Sequence, residues 1–113
     1  MVAPVWVPDR GDLIWLSFDP QAGHEQAGRR PALVLTPLRF NRATSLAMVC
    51  PVTNQAKGYR FEVPLPPGLS ISGVVLADRA GTYDWSAHRA TLAARVTPEV
   101  VGAVIARVRR LLE

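Results

Sequence analysis

Apolar residues in the first half of the chain fall into three short runs, at residues 13–18, 31–36 and 46–52. Each run ends at proline or at a polar turn, and short apolar runs bounded in this way are typical of buried β-strands. Less regular runs at residues 61–63, 73–76 and 89–96 predict three further strands. The pattern therefore predicts a domain dominated by strands, with only a turn or a single helical turn at residues 40–44.

The last element has a helical pattern. Thr97 is a suitable N-cap, Pro98 fits the first helical position, and Glu99 complements the positive helix start. One apolar stripe with helical spacing is formed by Val100, Val101, Val104, Ile105, Val108, Leu111 and Leu112. The arginines off this stripe fit either a solvated face or a nucleic-acid contact, and the stripe itself favours a helix that packs on the core.

These elements together predict one domain covering residues 1–113, because a chain of 113 residues supports a single core. The fold class is mainly β with short helices. We expect a small twisted barrel or sandwich that is closed by the C-terminal α-helix.

Composition limits the class of protein further. Hydrophobic residues make up 49% of the chain and charged residues 19%, which argues against disorder. The single cysteine, Cys50, excludes an internal disulfide, and its apolar surroundings predict a buried structural thiol. The N-terminus lacks a signal-peptide pattern, and no apolar run approaches the roughly 20 residues that span a bilayer. We therefore expect a cytoplasmic protein with no membrane-spanning segment.

The formal net charge of +4 favours an anionic partner, whether nucleic acid, an acidic protein segment or a membrane surface. Lys57 is the only lysine among the 13 basic residues. The other basic residues are arginines, which suit planar, bidentate contact with phosphate or carboxylate groups.

Candidate chemistry lies where a polar loop, residues 19–30, meets the second strand. Arg30 ends this loop, and Pro31 restricts Arg30 to an extended geometry. If the second and third strands pair antiparallel, Arg30 becomes a neighbour of Thr53 at the end of the third strand. A guanidinium beside a hydroxyl and the carboxylate of Glu25 could hold a phosphodiester and stabilise its transition state. The alternatives are a surface turn with solvated arginines and a threonine that only caps a turn.

Other site chemistries find little support in the sequence. The two histidines, His24 and His88, are far apart, and the carboxylates do not cluster at metal-ligand spacing. The chain carries neither a P-loop nor a dinucleotide fingerprint, and it lacks the glycine pattern of a nucleophile elbow. We therefore expect neither a metal nor a cofactor.

Four segments resemble the MazF/PemK toxin family in order and in spacing. They are VPDRGDLIW (residues 7–15), EQAGRRPA (25–32), PVTNQ with KGY (51–55 and 57–59) and GVVLAD (73–78). The resemblance covers nearly the whole chain. It implies an SH3-like small β-barrel of the MazF/CcdB type, built as a homodimer.

The resemblance also implies an activity. It is that of a type II toxin–antitoxin endoribonuclease, or mRNA interferase, which cleaves single-stranded RNA at specific sequences without a metal. In this family the 2′-hydroxyl attacks the adjacent phosphate and leaves a cyclic phosphate and a 5′-hydroxyl. The implied partners are single-stranded RNA and a MazE-like antitoxin whose acidic tail covers the basic groove.

Residue roles follow from matching positions. Arg30 matches the family's catalytic arginine, Thr53 the catalytic threonine that contacts the scissile phosphate, and Glu25 an acidic residue that assists or positions. Because arginine holds its proton at physiological pH, electrostatic stabilisation is the preferred role for Arg30. Gln26 and Lys57 are the expected RNA contacts.

One segment departs from the family pattern. After Ala77-Asp78 the family commonly has glutamine, an aliphatic residue and a basic residue, whereas this chain has Arg79-Ala80-Gly81. We include Arg79 among the RNA-binding candidates, with its basic group displaced relative to the family.

Two other functions are compatible with the same fold. The related CcdB toxins bind gyrase rather than cutting RNA, and a non-catalytic barrel could bind nucleic acid alone. The arginine–threonine pair argues against the gyrase alternative, because binding gyrase requires no phosphate chemistry.

Overall fold

The computed structural model describes residues 6–18 and 28–113, which form seven strands and two α-helices. In chain order the elements are β1 (Asp12–Phe18), β2 (Gly28–Val34), α1 (Leu38–Thr44), β3 (Leu46–Thr53), β4 (Glu62–Pro64), β5 (Val74–Leu76), a 3₁₀ helix (Ala77–Arg79), β6 (Gly81–Asp84), β7 (Thr91–Arg95) and α2 (Pro98–Leu111). Neither helix is long and apolar enough to cross a membrane within the described part of the chain.

The seven strands pair antiparallel in one sheet; six of them lie in the order β4-β5-β3-β2-β1-β7, and β6 pairs with β3 outside this path. The long strand β3 is its centre: β6 pairs with its first half, at Leu46–Val49, and β5 pairs with Val52 and Thr53. The fold class predicted from the sequence is confirmed. Among the described residues the ladder does not close between β4 and β7.

Alternating side chains of β1, β2 and β3 build one apolar cluster on each face of the sheet. Leu13, Leu33 and Cys50 belong to the cluster under α2, and α2 contributes the fully buried Val104 to it. The cluster on the other face contains Leu16, Ala32, Val34, Val49 and Trp85. The sheet is therefore apolar on both faces, as expected for strands that read as nearly continuous apolar runs.

The C-terminal helix follows the sequence prediction in its bounds, but the end of the predicted apolar stripe is not buried. Leu111 is 46% exposed, and Leu112, which is the C-cap residue, is 83% exposed. Thr97 is the N-cap residue and Pro98 opens the helix, although the Thr97 side chain makes no capping hydrogen bond. Val101 and Val104 are the buried residues of the helix. The arginines Arg109 and Arg110 lie in its exposed last turn, where cations favour the helix dipole.

The structure differs from the sequence prediction at three elements. Strand β2 begins at Gly28, so Arg29 and Arg30 are strand residues rather than the end of a loop. Helix α1 has seven residues instead of a single turn, and the buried Asn41 supports it through contacts with Pro8 and Thr36. Strand β6 was not predicted, because its sequence GTYD has no apolar run.

Candidate active site

The antiparallel pairing of β2 with β3 brings Arg30 and Thr53 to the same place. Ala32 faces Pro51 and Leu33 faces Cys50, so the same register continued by two residues sets Arg30 opposite Thr53. Both residues line a cavity of about 260 Å³, together with Arg79 from the 3₁₀ helix. Two guanidinium groups and a hydroxyl therefore meet at one concave site, a donor set that suits a phosphodiester.

The hydroxyl of Thr53 is held by the turn that follows β3. The backbone N–H of Gln55 donates a hydrogen bond to Thr53 Oγ1 at 3.1 Å. Because this bond uses the hydroxyl as an acceptor, the hydroxyl hydrogen can be donated to a bound phosphate oxygen. The orientation of the threonine is thus set before any substrate arrives.

The backbone of Thr53 is also closely packed. Gly73 has a φ of +119°, and an added Cβ at this position would lie 2.1 Å from the carbonyl oxygen of Thr53. Only glycine permits this approach, which lets Val74 pair with Thr53 in the ladder between β3 and β5. The segment before β5 therefore packs directly against the backbone of the candidate catalytic threonine.

A second cavity, of about 290 Å³, adjoins the first and shares Thr53 and Arg79 with it. Its other polar lining residues are Gln55, Lys57, Tyr59 and Glu62. The two cavities together extend from Arg30 to Lys57.

The loop that carries Lys57 is fixed by a buried carboxylate. Glu62 is 8% exposed and accepts hydrogen bonds of 2.8 Å from the backbone N–H groups of both Lys57 and Gly58. Tyr59 donates its hydroxyl hydrogen to Asp78 at 2.9 Å, and this bond raises the pKa of the Tyr59 phenol. The tyrosine is therefore protonated at neutral pH and cannot act as a general base.

Four of the six site residues suggested by the sequence lie in the described part of the chain. Arg30, Thr53 and Arg79 share the first cavity, and Lys57 lines the second. Glu25 and Gln26 lie outside the described residues, as does His24.

The structure adds three polar residues to the site that were not singled out in the sequence. Gln55 and Tyr59 belong to the polar segment after β3, and Glu62 lies between two apolar residues. Glu62 could have been found from the sequence. A lone carboxylate in an apolar strand requires hydrogen-bond donors beside it, which indicates a structured polar group at this position.

Two further residues, Cys50 and Trp15, take no part in the proposed site chemistry. Cys50 is fully buried, and burial together with the charge of Asp78 raises the pKa of its thiol to about 12. With this pKa the thiol stays protonated at neutral pH. Since only the thiolate form is a nucleophile, Cys50 is a structural residue. Trp15 is half-buried against the cluster under α2. Within the described ranges, His, Cys, Asp and Glu side chains form no group of three that could hold a metal.

The family model and two similar relatives agree on the family of this chain. Residues 9–112 match the family described as the PemK-like, MazF-like toxin of type II toxin–antitoxin systems. The chain is 46% identical over 107 residues to the endoribonuclease toxin MazF of Escherichia coli strain K12, covering 95% of this chain and 96% of that protein. It is 40% identical to the endoribonuclease PemK of Escherichia coli over 108 residues, which are 92% of this chain and 81% of that protein.

A solved structure shows the same similarity in three dimensions. The crystal structure of MazE-MazF (Form-II) from Deinococcus radiodurans contains a chain that aligns with a TM-score of 0.92 and 53% identity. The alignment covers 96% of this chain and 97% of the other. The chain belongs to the PemK/MazF family of toxins of type II toxin–antitoxin systems.

Proposed function

We propose that this toxin is a sequence-specific endoribonuclease that cleaves single-stranded RNA, messenger RNA in particular. The observation that carries the proposal is the cavity lined jointly by Arg30, Thr53 and Arg79. The endoribonuclease names of the 46% and 40% identical relatives support the same activity. The net charge of +4 suits a polyanionic substrate.

In the proposed reaction the scissile phosphate lies between Arg30 and Thr53. The ribose 2′-oxygen attacks the adjacent phosphorus and loses its proton, while the bond from phosphorus to the 5′-oxygen breaks and that oxygen gains a proton. The products are a 2′,3′-cyclic phosphate and a 5′-hydroxyl, so the attacking oxygen comes from the RNA rather than from water, and we expect the step to proceed without a metal. DNA lacks the attacking hydroxyl and is inert.

Each residue has a distinct part in this mechanism. Arg30 stabilises the extra negative charge on the phosphorane-like transition state, and one such donor is typically worth about a hundred- to a thousand-fold in rate. Thr53 donates its hydroxyl hydrogen to a non-bridging oxygen, in the orientation set by Gln55. Glu25 assists the proton transfers, while Gln26, Lys57 and Arg79 contact the RNA.

The proposed partners follow from the same family. A MazE-like antitoxin with an acidic tail neutralises the toxin by covering the cationic surface; the Deinococcus radiodurans structure similar to this chain is a MazE-MazF complex. The toxin acts as a homodimer in the cytoplasm, where messenger RNA is present.

The test uses the purified protein on a long single-stranded RNA in excess EDTA, with the ends of the fragments mapped. We expect discrete cuts with 5′-hydroxyl ends, unchanged by EDTA, and losses of about a hundred-fold or more in Arg30→Ala and Thr53→Ala. Arg42→Ala on α1 is the matched control, since it removes one exposed arginine away from the cavity. Intact RNA with folded protein would refute the proposal, and gyrase inhibition would then support a CcdB-like activity.

A further inference from the structure

Arg29 precedes Arg30 in β2 but projects toward the opposite face of the sheet. In the β1–β2 ladder Arg29 is paired with Ser17, whereas Arg30 is paired with Leu16. Successive strand residues alternate between faces, so the two guanidinium groups cannot serve the same cavity. In agreement with this, Arg30 lines the cavity that contains Thr53 and Arg79, and Arg29 does not.

The guanidinium of Arg29 makes four hydrogen bonds to two other strands and to the turn between β6 and β7. Its Nη1 donates to Ser17 Oγ on β1. Its Nη2 lies 3.2 Å from the carbonyl oxygen of Trp15, 3.0 Å from that of Arg89 and 2.6 Å from Thr91 Oγ1. The two hydrogens of Nη2 are therefore shared among three acceptors. An exposed arginine with this many protein partners is a cross-link between strands.

The position of this cross-link matters because β2 extends past its ladder with β3. That ladder runs from Ala32 to Val34, whereas the ladder with β1 continues to Gly28. The Gly28–Arg30 end of β2 is solvent-exposed. Arg29 ties this end to β1 and to the start of β7, directly beside the residue that faces the cavity.

We propose that Arg29 is a positioning residue that fixes the backbone carrying Arg30 and so sets the guanidinium of Arg30 against the scissile phosphate. The inference rests on the proposed function of Arg30. A displacement of about 1 Å at a catalytic group can cost about a hundred-fold in rate, so loss of this cross-link lowers turnover without removing a substrate contact. Lysine cannot replace arginine here, because its single ammonium group lacks the planar fork that reaches several acceptors.

The experiment measures kcat, KM and RNA affinity on an oligonucleotide containing one mapped cleavage site. Arg29→Lys keeps the charge and removes the fork, Arg29→Met removes both, and Arg42→Met is the control for loss of one exposed arginine. We expect both Arg29 variants to lower kcat by about ten- to a hundred-fold, with KM and RNA affinity within about three-fold of the wild type. Arg42→Met retains the wild-type kcat.

A double-variant cycle separates positioning from an independent role. Because Arg29 acts through Arg30, the Arg29→Met/Arg30→Met protein should be no slower than Arg30→Met alone. Multiplied losses in the double variant would overturn the proposal. A wild-type kcat in Arg29→Lys, or a loss confined to KM and affinity, would also overturn it and indicate a charge contact with RNA.

A milder variant covers the case in which the Arg29 variants do not fold. Thr91→Val removes one acceptor of the cross-link and keeps the β-branched shape. We expect its kcat to fall several-fold at unchanged KM, and an unchanged kcat would contradict the proposal. If the wild type itself cleaves no RNA, the proposed function fails first, which distinguishes the two failures.

Discussion

The close approach of Gly73 to Thr53 gives a prediction that links stability to activity. In Gly73→Ala the new Cβ would lie 2.1 Å from the Thr53 carbonyl oxygen, and real Cβ contacts are essentially never shorter than 3.0 Å. The backbone must therefore shift by about 0.9 Å, the difference between these two distances. Such a shift breaks the Thr53–Val74 pairing, and each lost hydrogen bond costs about 1 kcal/mol.

The matched control is Gly68→Ala. Gly68 also has a left-handed φ, of +93°, but a Cβ there meets nothing within 4 Å. Both alanines incur backbone strain of about 1–3 kcal/mol, so the difference between the variants isolates the clash. By chemical denaturation we expect Gly73→Ala to be about 2 kcal/mol less stable than Gly68→Ala.

Activity should separate the two variants more sharply than stability does. Under conditions where both are folded, displacement of Thr53 by about 1 Å should lower RNA cleavage by about a hundred-fold in Gly73→Ala, while Gly68→Ala stays near the wild type. Equal stability and equal cleavage of the two variants would refute the argument that Gly73 positions Thr53.

Further predictions test the fold and its buried groups. Gly102→Ala in α2 should stabilise the protein by about 1 kcal/mol in urea titrations, because the new methyl group meets nothing within 4 Å; a loss of stability would contradict this. Asn41→Leu should cost about 3 kcal/mol or more in the same assay, since it removes the hydrogen-bond donor to the buried carbonyl of Pro8 and to the partly buried carbonyl of Thr36, and a cost below 1 kcal/mol would be inconsistent with that network. Cys50 should react with thiol reagents at pH 8 only as fast as the protein unfolds, and immediate labelling of the native protein would show that the thiol is accessible. Because burial raises the pKa of this thiol from 9.0 to about 12, the unfolded chain loses the proton first, and stability should fall as the pH rises through that range.

The local sequence pattern was sufficient to predict the position of those strands and helices that contain apolar runs. β1, β3 and α2 follow their predicted bounds closely, because their side chains build the two core clusters. β6 was missed because Gly81–Asp84 is defined by pairing with β3 rather than by its own composition. The first residues of β2 were missed for the same reason. Arg29 and Arg30 are polar, and they are strand residues because they pair with β1.

The candidate site was predictable only as far as pairing could be inferred. Antiparallel pairing of two strands was enough to place Arg30 near Thr53, and the structure shows that pairing. The position of Arg79 beside them depends on the 3₁₀ helix after β5, for which the sequence carried no pattern. The contact between Gly73 and Thr53 and the cross-link of Arg29 depend on distances between segments far apart in sequence, which no local pattern contains.

Cleavage of an RNA oligonucleotide with a single 2′-deoxy substitution tests the central claim most directly. The substitution is placed at the nucleotide whose 3′ phosphate is cut, and an otherwise identical all-RNA oligonucleotide serves as the control. If the 2′-hydroxyl is the nucleophile at the Arg30–Thr53 cavity, the control is cut and the substituted oligonucleotide stays intact while binding with similar affinity. Cleavage of the substituted oligonucleotide at the same bond would contradict the proposed mechanism.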